Sequence, residues 1–445
     1  MALSGLEIYK LLPKTNCKAC GFPTCLAFSM QLAAKKVSLD KCPHVSPEAK
    51  AALESAAEPP IKLITIGKGE EKIEVGNETV LFRHEEKFYH PCAIGFLLED
   101  TAAPEEIKKT LEKINKLDFE RVGQRIKVDI IAISCKSNDA ARFQNAVKAV
   151  VENTNLQIAL VSKDAALIEK ALEVSREKNP LVCGANSANF KEMAKLAGNY
   201  KVPLTAGAQN LEELEALVKN LNAEGIRDIV LEPPEKGVAE KVWDLTQIRR
   251  LALKKAFRPF GYPTIVFTKS GDPYQETSEA VTYLAKYASI VIMKGTSPEQ
   301  VLPILTARQN IFTDPQKPLQ VEPKIYEVGK VTEKSPILVT TNFSLTYYTV
   351  EAEVESSAVS AFILSCDSEG MSVLTAWAAD KFTAESIAKA LEKSGLKDKV
   401  SHKNVVLPGY VSVLSGKLEE ESGWNVIVGP KEAAGIPVFL RNLGS

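Results

Sequence analysis

Between Ile61 and about Pro318, short β-type runs alternate with amphipathic helical stretches, and the number of alternations limits the fold more than any other feature of the chain. The runs are Ala93–Leu98, Lys127–Ser134, Leu156–Ser162, Leu181–Gly184, Val202–Thr205, Asp228–Glu232, Thr264–Thr268 and Ser289–Met293, eight in all. Between them, apolar residues recur at spacings of three and four, as in Ile107, Leu111, Ile114 and Leu117, or Leu211, Leu214, Leu217, Val218 and Leu221. That spacing is the stripe a helix lays against a sheet. Asp164, Ser187, Asn210 and Ser297, the last followed by Pro298, stand where helix caps are expected. Right-handed crossovers around a parallel sheet close at eight units, so the pattern predicts a (β/α)8 TIM-like barrel, with an open doubly wound sheet as the other solution. Two earlier runs, Lys62–Ile66 and Lys72–Phe82, predict a hairpin or barrel floor.

A chain of 445 residues exceeds one ordinary domain. Pro59-Pro60 and the proline-rich stretch Asp314–Lys324 divide it into segments 1–58, 59–320 and 321–445. In the last, strands at Ile337–Thr341, Ala361–Ser365, Asn404–Leu407 and Asn425–Val428 and helices near Met371–Ala379 and Ala384–Ser394 predict a Rossmann-like layered domain. A ligand would lie across the carboxyl ends of its strands. The fold class is therefore α/β, with a small N-terminal module that adds a helix at Ser46–Ala57. The 55 basic and 56 acidic side chains of the whole chain nearly cancel, without the single-sign run that tracks a phosphate backbone, so no nucleic-acid partner is expected. No membrane span or export signal is visible either, and the expectation is a cytoplasmic protein.

The eight cysteines are unevenly placed: Cys17, Cys20, Cys25 and Cys42 cluster in the first segment, while Cys92, Cys135, Cys183 and Cys366 are single. Clustering of this kind suits metal binding in a reducing compartment better than disulfides. The spacing Cys17-x2-Cys20-x4-Cys25-x16-Cys42 puts three thiolates on a tight loop with one distant in sequence, as a [4Fe-4S] cubane with one cysteine per iron requires. Gly21 lets the backbone turn, Pro23 stiffens the loop, and Pro43 follows the last ligand. Structural zinc is the competing occupant, but it normally shows two paired C-x2-C knuckles, and only one such pair exists here. His44 reads as a neighbour of a completed shell. The single cysteines sit in or beside apolar runs, where a thiol behaves as a small hydrophobe.

The stretch Leu3-Ser4-Gly5-Leu6-Glu7-Ile8-Tyr9, with Leu12-Pro13, Asn16-Cys17, Cys20-Gly21, Pro23 to Phe28 and Asp40-Lys41-Cys42-Pro43, resembles the large (gamma) subunits of the corrinoid iron-sulfur protein of the acetyl-CoA (Wood-Ljungdahl) pathway. The order cluster module, barrel and corrinoid-binding domain matches the three segments. The resemblance implies a methyl-group carrier: a corrinoid in the Co(I) state takes a methyl group from methyltetrahydrofolate through a separate methyltransferase and gives it to acetyl-CoA synthase/CO dehydrogenase. It also implies a heterodimer with a small subunit, and reactivation of Co(II) by electrons that pass from a ferredoxin or reductive activator through the cluster.

Among methyl-carrying corrinoid domains an Asp-x-His-x-x-Gly motif often supplies a lower histidine, and none of His44, His84, His90 or His402 has that setting. A base-off corrinoid without histidine ligation follows, and loss of the axial donor eases reduction to Co(I). The expected corrinoid contacts lie at strand ends: Thr340, Thr341 and Thr346; Gly370, Met371, Ser372, Val373, Leu374 and Thr375; Gly409, Tyr410, Val411, Leu414 and Gly416; and Gly429, Pro430 and Ala433. Glycines let backbone amides approach the ligand, hydroxyls donate to it, and Tyr410 and Val411 would flank the macrocycle. Glycine and hydroxyl residues also gather at such ends simply to make turns. At the barrel's carboxyl face would fall Glu99, Asp100, Ser134, Asn186, Glu232 and Lys269, with no catalytic side chain assigned, because cobalt is the reactive atom. Two other functions fit the residues: a barrel methyltransferase with a four-cysteine zinc site, and an electron carrier whose third domain holds a flavin or nothing.

Overall fold

The structure, a computed structural model, describes residues 5–33, 37, 39–46, 49, 59–121 and 124–443. The helix expected over Ser46–Ala57 lies, apart from Ser46 and Ala49, outside the described residues. Two compact units emerge, one of Met1–Asp118 with Lys127–Phe312, the other of Phe119–Ile126 with Thr313–Ser445.

In the first unit, α1 (Gly5–Leu11) and α2 (Cys25–Ala33) form the N-terminal module. Ile8, Leu12 and Phe28 make its small core together with Cys25 and Cys42. The strands that follow are β1 (Ile64–Ile66), β2 (Ile73–Val75) and β3 (Ala93–Glu99), while the β4 (Asp118–Arg121) and β5 (Gln124–Lys127) pair falls mostly in the second unit. After them come β6 (Ile130–Ser134), β7 (Gln157–Val161), β8 (Leu181–Ala185), β9 (Leu204–Gly207), β10 (Ile229–Glu232), β11 (Ile265–Phe267) and β12 (Ile290–Met293). Eight of these lie in the order β10-β9-β8-β7-β6-β3-β12-β11, all parallel. A parallel bridge from Leu231 to Thr264, with the Leu231 amide donating to the Pro263 carbonyl, joins the two ends. The sheet is a closed barrel, and the open alternative is set aside.

The β1–β2 hairpin is antiparallel, with Ile64 opposite Val75 and Ile66 opposite Ile73. Those four side chains pack with Ala93, Ile130, Ala132, Ala159, Val230, Ile265 and Ile290, so the hairpin is the barrel floor. The longer run expected to Phe82 stops at Val75 because Gly76 (φ 99°) and Asn77 (φ 50°) turn the backbone into the left-handed region. The run Lys127–Ser134 is likewise split at Asp129, whose carboxylate accepts from the Ile94 amide and pairs with Arg308. Asp164 and Asn210 cap their helices as expected, whereas the helix assigned to Ser187 begins at Phe190, behind Asn189.

One buried carboxylate ties the carboxyl ends of β11 and β12 together. Glu276, in the helix Pro273–Ala285, accepts from the Thr268 hydroxyl (2.8 Å), the Lys294 amide (2.8 Å), the Gly295 amide (2.9 Å) and Gln300 Nε2 (3.3 Å). Glu276→Ala leaves these donors without their partner in a dry place, so a loss of about 3 kcal/mol or more in unfolding free energy is expected. Urea unfolding followed by circular dichroism checks it; an unchanged midpoint contradicts the clamp.

In the second unit, β13 (Ile325–Val328), β14 (Ile337–Thr341), β15 (Ala361–Cys366), β16 (Asn404–Leu407) and β17 (Asn425–Val428) form a sheet in the order β13-β15-β14-β16-β17. Only β13 is antiparallel. Alternation along the strands feeds two cores. Ile337, Val339, Phe362 and Leu364 pack with Ala376, Ile387 and Leu418 on one face. Leu338, Ile363 and Val406 pack with Tyr347, Val354, Ile436 and Leu440 on the other. Strand order reverses between β14 and β16, the kind of crevice where doubly wound sheets bind ligands. No helix among the described residues is long and apolar enough to cross a membrane.

Candidate functional site

The four clustered cysteines sit on a loop of unusual backbone. Lys14, Asn16, Lys18 and Gly21 all have positive φ (58°, 49°, 62° and 85°). The Asn16 side chain accepts from the Cys25 amide at 2.8 Å, which docks the loop on the start of α2, and the Gly21 amide donates to the Lys18 carbonyl at 2.9 Å. Cys25 and Cys42 are buried, Cys20 is half-buried against the same small core, and Cys17 is exposed. The Ala19 amide and the Thr15 hydroxyl, donating to Cys17, lower its thiol pKa and favour the thiolate a metal needs. Among the described residues no three His, Cys, Asp or Glu side chains converge tightly enough to hold one metal ion. A cubane takes one thiolate at each of four irons, and the donor set fits it.

The other expected residues gather at the carboxyl edge of β14–β17. Asn342, just past β14, is fully buried and organises the edge. Its Oδ1 accepts from the Ser368 amide (2.9 Å), the Ser368 hydroxyl (2.8 Å) and the Gly370 amide (3.0 Å), and its Nδ2 donates to Gln320 Oε1 (3.1 Å) and Asp367 Oδ1 (3.3 Å). Asparagine reads in a sequence as a turn residue, so this role was not foreseen. Thr340, Thr341, Ser344 and Ser365 are buried, and their hydroxyls have no hydrogen-bond partner. Thr340 lies opposite Ser365 in register, so two orphan hydroxyls share one face of the sheet. A group that fills and bonds this place is expected, because a buried unpaired hydroxyl is costly.

The loops and helix starts of the same carboxyl edge carry apolar side chains. Leu345, Leu374, Trp377, Tyr410 and Val413 are exposed, Val413 to 72%. Ser372 and Thr375 share a hydrogen bond (3.0 Å) at the start of the helix Val373–Ala378, and Met371, Val373 and Leu414 line the adjoining core. Thr346 lies in the first turn of the helix Ser344–Ser357, and Ala433 and Pro430 follow β17. Val411 is fully buried within the core, so it packs the domain while Tyr410 keeps an open ring. Gly409 and Gly429 are both crowded: a Cβ on Gly409 would come within 2.6 Å of the Gly429 carbonyl, and one on Gly429 within 2.8 Å of the Val406 side chain. Gly416 lies exposed in the helix Ser415–Ser422.

In the barrel, Glu99, Ser134 and Glu232 end β3, β6 and β10, and Asp100, Asn186 and Lys269 follow β3, β8 and β11. Asp100 accepts from the Lys136 and Ser137 amides and the Ser137 hydroxyl, so it holds a loop.

Fold and site together define a modular α/β protein: a closed (β/α)8 barrel, a doubly wound domain with a hydroxyl-lined edge, and a four-cysteine module. A model of the CO dehydrogenase/acetyl-CoA synthase delta subunit matches residues 63–440, and an Fe-S cluster model matches residues 12–44. The corrinoid/iron-sulfur protein large subunit of Moorella thermoacetica is 48% identical over 100% of both chains. The acetyl-CoA decarbonylase/synthase complex subunit gamma of Methanothermobacter thermautotrophicus is 36% identical over 100% of both. Among solved structures, 7,8-dihydropteroate synthase of Vibrio fischeri ES114 aligns with a TM-score of 0.41 at 14% identity, covering 51% of this chain and 95% of that one. The chain belongs to the family of corrinoid/iron-sulfur protein large subunits and acetyl-CoA decarbonylase/synthase gamma subunits.

Proposed function

We propose that this chain is a cytoplasmic methyl-group carrier of the acetyl-CoA pathway, with a [4Fe-4S] cluster on Cys17, Cys20, Cys25 and Cys42 and a corrinoid at the carboxyl edge of β14–β17. When bound, the corrinoid supplies cobalt chemistry that carries a methyl group from methyltetrahydrofolate to acetyl-CoA synthase, and the cluster supplies the electron that restores oxidised cobalt. The observation that carries the reading is the set of unpartnered buried hydroxyls, Thr340, Ser344 and Ser365, beside an exposed apolar rim. Thr340 and Ser365 bond the ligand's polar groups, while Trp377, Tyr410 and Leu374 exclude water from its macrocycle.

Base-off binding is supported by the one histidine of this domain. His402 precedes β16 at its amino end, Nε2 lies 3.0 Å from the Ser335 carbonyl and Nδ1 accepts from the Asn404 amide, so both ring nitrogens are engaged away from the edge. The apolar rim suits a small subunit that would complete the enclosure, and alternating partners would be the methyltetrahydrofolate methyltransferase, acetyl-CoA synthase/CO dehydrogenase, and a ferredoxin or reductive activator.

Anaerobic purification with the small subunit tests this reading. One cobalt and four irons per chain are expected by the cubane assignment, with methyl uptake from methyltetrahydrofolate once the methyltransferase is added. A preparation with zinc and no cobalt overturns it.

A further inference from the structure

The proline-rich stretch that divides the chain is stitched to the doubly wound domain where it reaches it. The Val321 amide donates to the Asn342 carbonyl (2.9 Å), the Ser344 amide to the Leu319 carbonyl (3.0 Å) and the Ser365 amide to the Lys324 carbonyl (3.0 Å). Gln320 bridges Phe343 as an antiparallel partner, and Val321 is buried in one core with Leu338 and Tyr347. Residues 319–321 therefore form a strap along the segment that follows β14. That segment carries Ser344, whose buried hydroxyl has no partner while its amide holds the strap.

Gln320 is exposed and lies against the loop between β15 and the helix Val373–Ala378. In that loop Glu369 and Gly370 have left-handed backbone (φ 56° and 74°), and a Cβ on Gly370 would meet Gln320 Cγ at 2.6 Å and Gln320 Nε2 at 3.0 Å. Asn342 fixes which way the Gln320 amide faces. Its Oδ1 already accepts from the Ser368 amide and hydroxyl and the Gly370 amide, so its Nδ2 is the donor, and it donates to Gln320 Oε1 at 3.1 Å. Gln320 Nε2 is thereby left with its two hydrogens beside Gly370. Among the described residues it donates to no partner.

Gly370, Met371 and Ser372 are among the expected corrinoid contacts, and the amide carbonyls around a corrinoid ring need donors. We propose that Gln320, a linker residue, is a further corrinoid-binding residue: its Nε2 donates to one of those carbonyls, and the strap Leu319–Val321 is held more firmly when the cofactor is bound. This contact rests on the corrinoid reading of the edge. Strap and ligand share one side chain, so each stabilises the other by the same factor. An occupied site then orders the last residues of the linker.

Hydrogen exchange of the full chain with its small subunit, read by mass spectrometry with and without corrinoid, tests the contact. Loading should slow exchange at the Val321 and Ser344 amides about two- to tenfold, the worth of one hydrogen bond. The Asn425 amide, bonded to the Lys403 carbonyl at the amino end of β17, should not respond. Gln320→Met keeps the length of the side chain and loses the donor, so the ratio of loaded to empty exchange should fall to about one and cobalt retention after gel filtration should weaken about two- to tenfold. A merely structural Gln320 speeds exchange in both states and leaves that ratio and the cobalt retention as in the wild type, a result that overturns the contact. Cobalt-loaded wild type whose two amides exchange as in the empty form also overturns it, and leaves the corrinoid reading standing. A chain that takes up no cobalt overturns that reading and the contact with it.

Discussion

Cys20→Ala is expected to strip iron and acid-labile sulfide from the protein almost completely while cobalt content stays unchanged. Cys20 is the informative choice because it is only half-buried, whereas Cys25 and Cys42 belong to the module's core. Truncating either of those would mix lost packing with a lost ligand. The core beneath them is small, three large apolar side chains and two thiols, so the cluster supplies much of what keeps the loop in place. With the cluster gone, trypsin should cut at Lys14 or Lys18, which are exposed and in left-handed conformations. Methylation of pre-reduced protein should survive, and recovery from oxidised cobalt should not. Iron and sulfide assays with visible absorbance decide the matter: full retention of both would refute cysteine ligation, and loss of zinc in place of iron would move the site to the other metal.

The barrel was legible because strands buried on both faces read as unbroken apolar runs, as Ile130 to Ile133 do. The floor hairpin was legible for the opposite reason, since Ile64 and Ile66, and Ile73 and Val75, alternate with half-buried neighbours. What escaped depends on distant partners. Asp129 divides an apparent single run because Arg308, far along the chain, pairs with it. Glu276 looks like an ordinary exposed helix residue until the loop at Lys294 and Gly295 folds onto it. β13 hides beside a proline-rich linker as a half-buried edge strand, and the helix Ser344–Ser357 carries Thr346, Tyr347, Tyr348, Thr349 and Val350, a strand-like run held helical by the burial of Tyr347 and Val354. At the candidate sites, cysteine spacing directed attention to the loop before α2, and strand ends to the carboxyl edge of β14–β17. The purposes of single residues were another matter: Gly409 answers to the Gly429 carbonyl, Gly429 to Val406 and Leu407, and Val411 to the core.

Thr340→Val with Ser365→Ala should separate the two states of the doubly wound domain in opposite directions. Both hydroxyls are buried, face the same side of adjacent strands and lack partners. In the corrinoid-free protein their removal relieves an unmet hydrogen-bonding demand at nearly constant volume for the threonine, so stability should hold or rise by about 1 kcal/mol. With corrinoid present the same change removes two bonds to the ligand, and retention should weaken by about 1–3 kcal/mol, roughly 5- to 150-fold in dissociation constant. An ordinary packing defect lowers stability in both states, and a pair of hydroxyls satisfied by solvent changes neither. Thermal unfolding of the cobalt-free double variant, beside cobalt retained after gel filtration, reads both signs. A variant that is less stable when empty yet holds corrinoid as firmly as the wild type would remove these hydroxyls from the binding site and leave the apolar rim without its polar anchor.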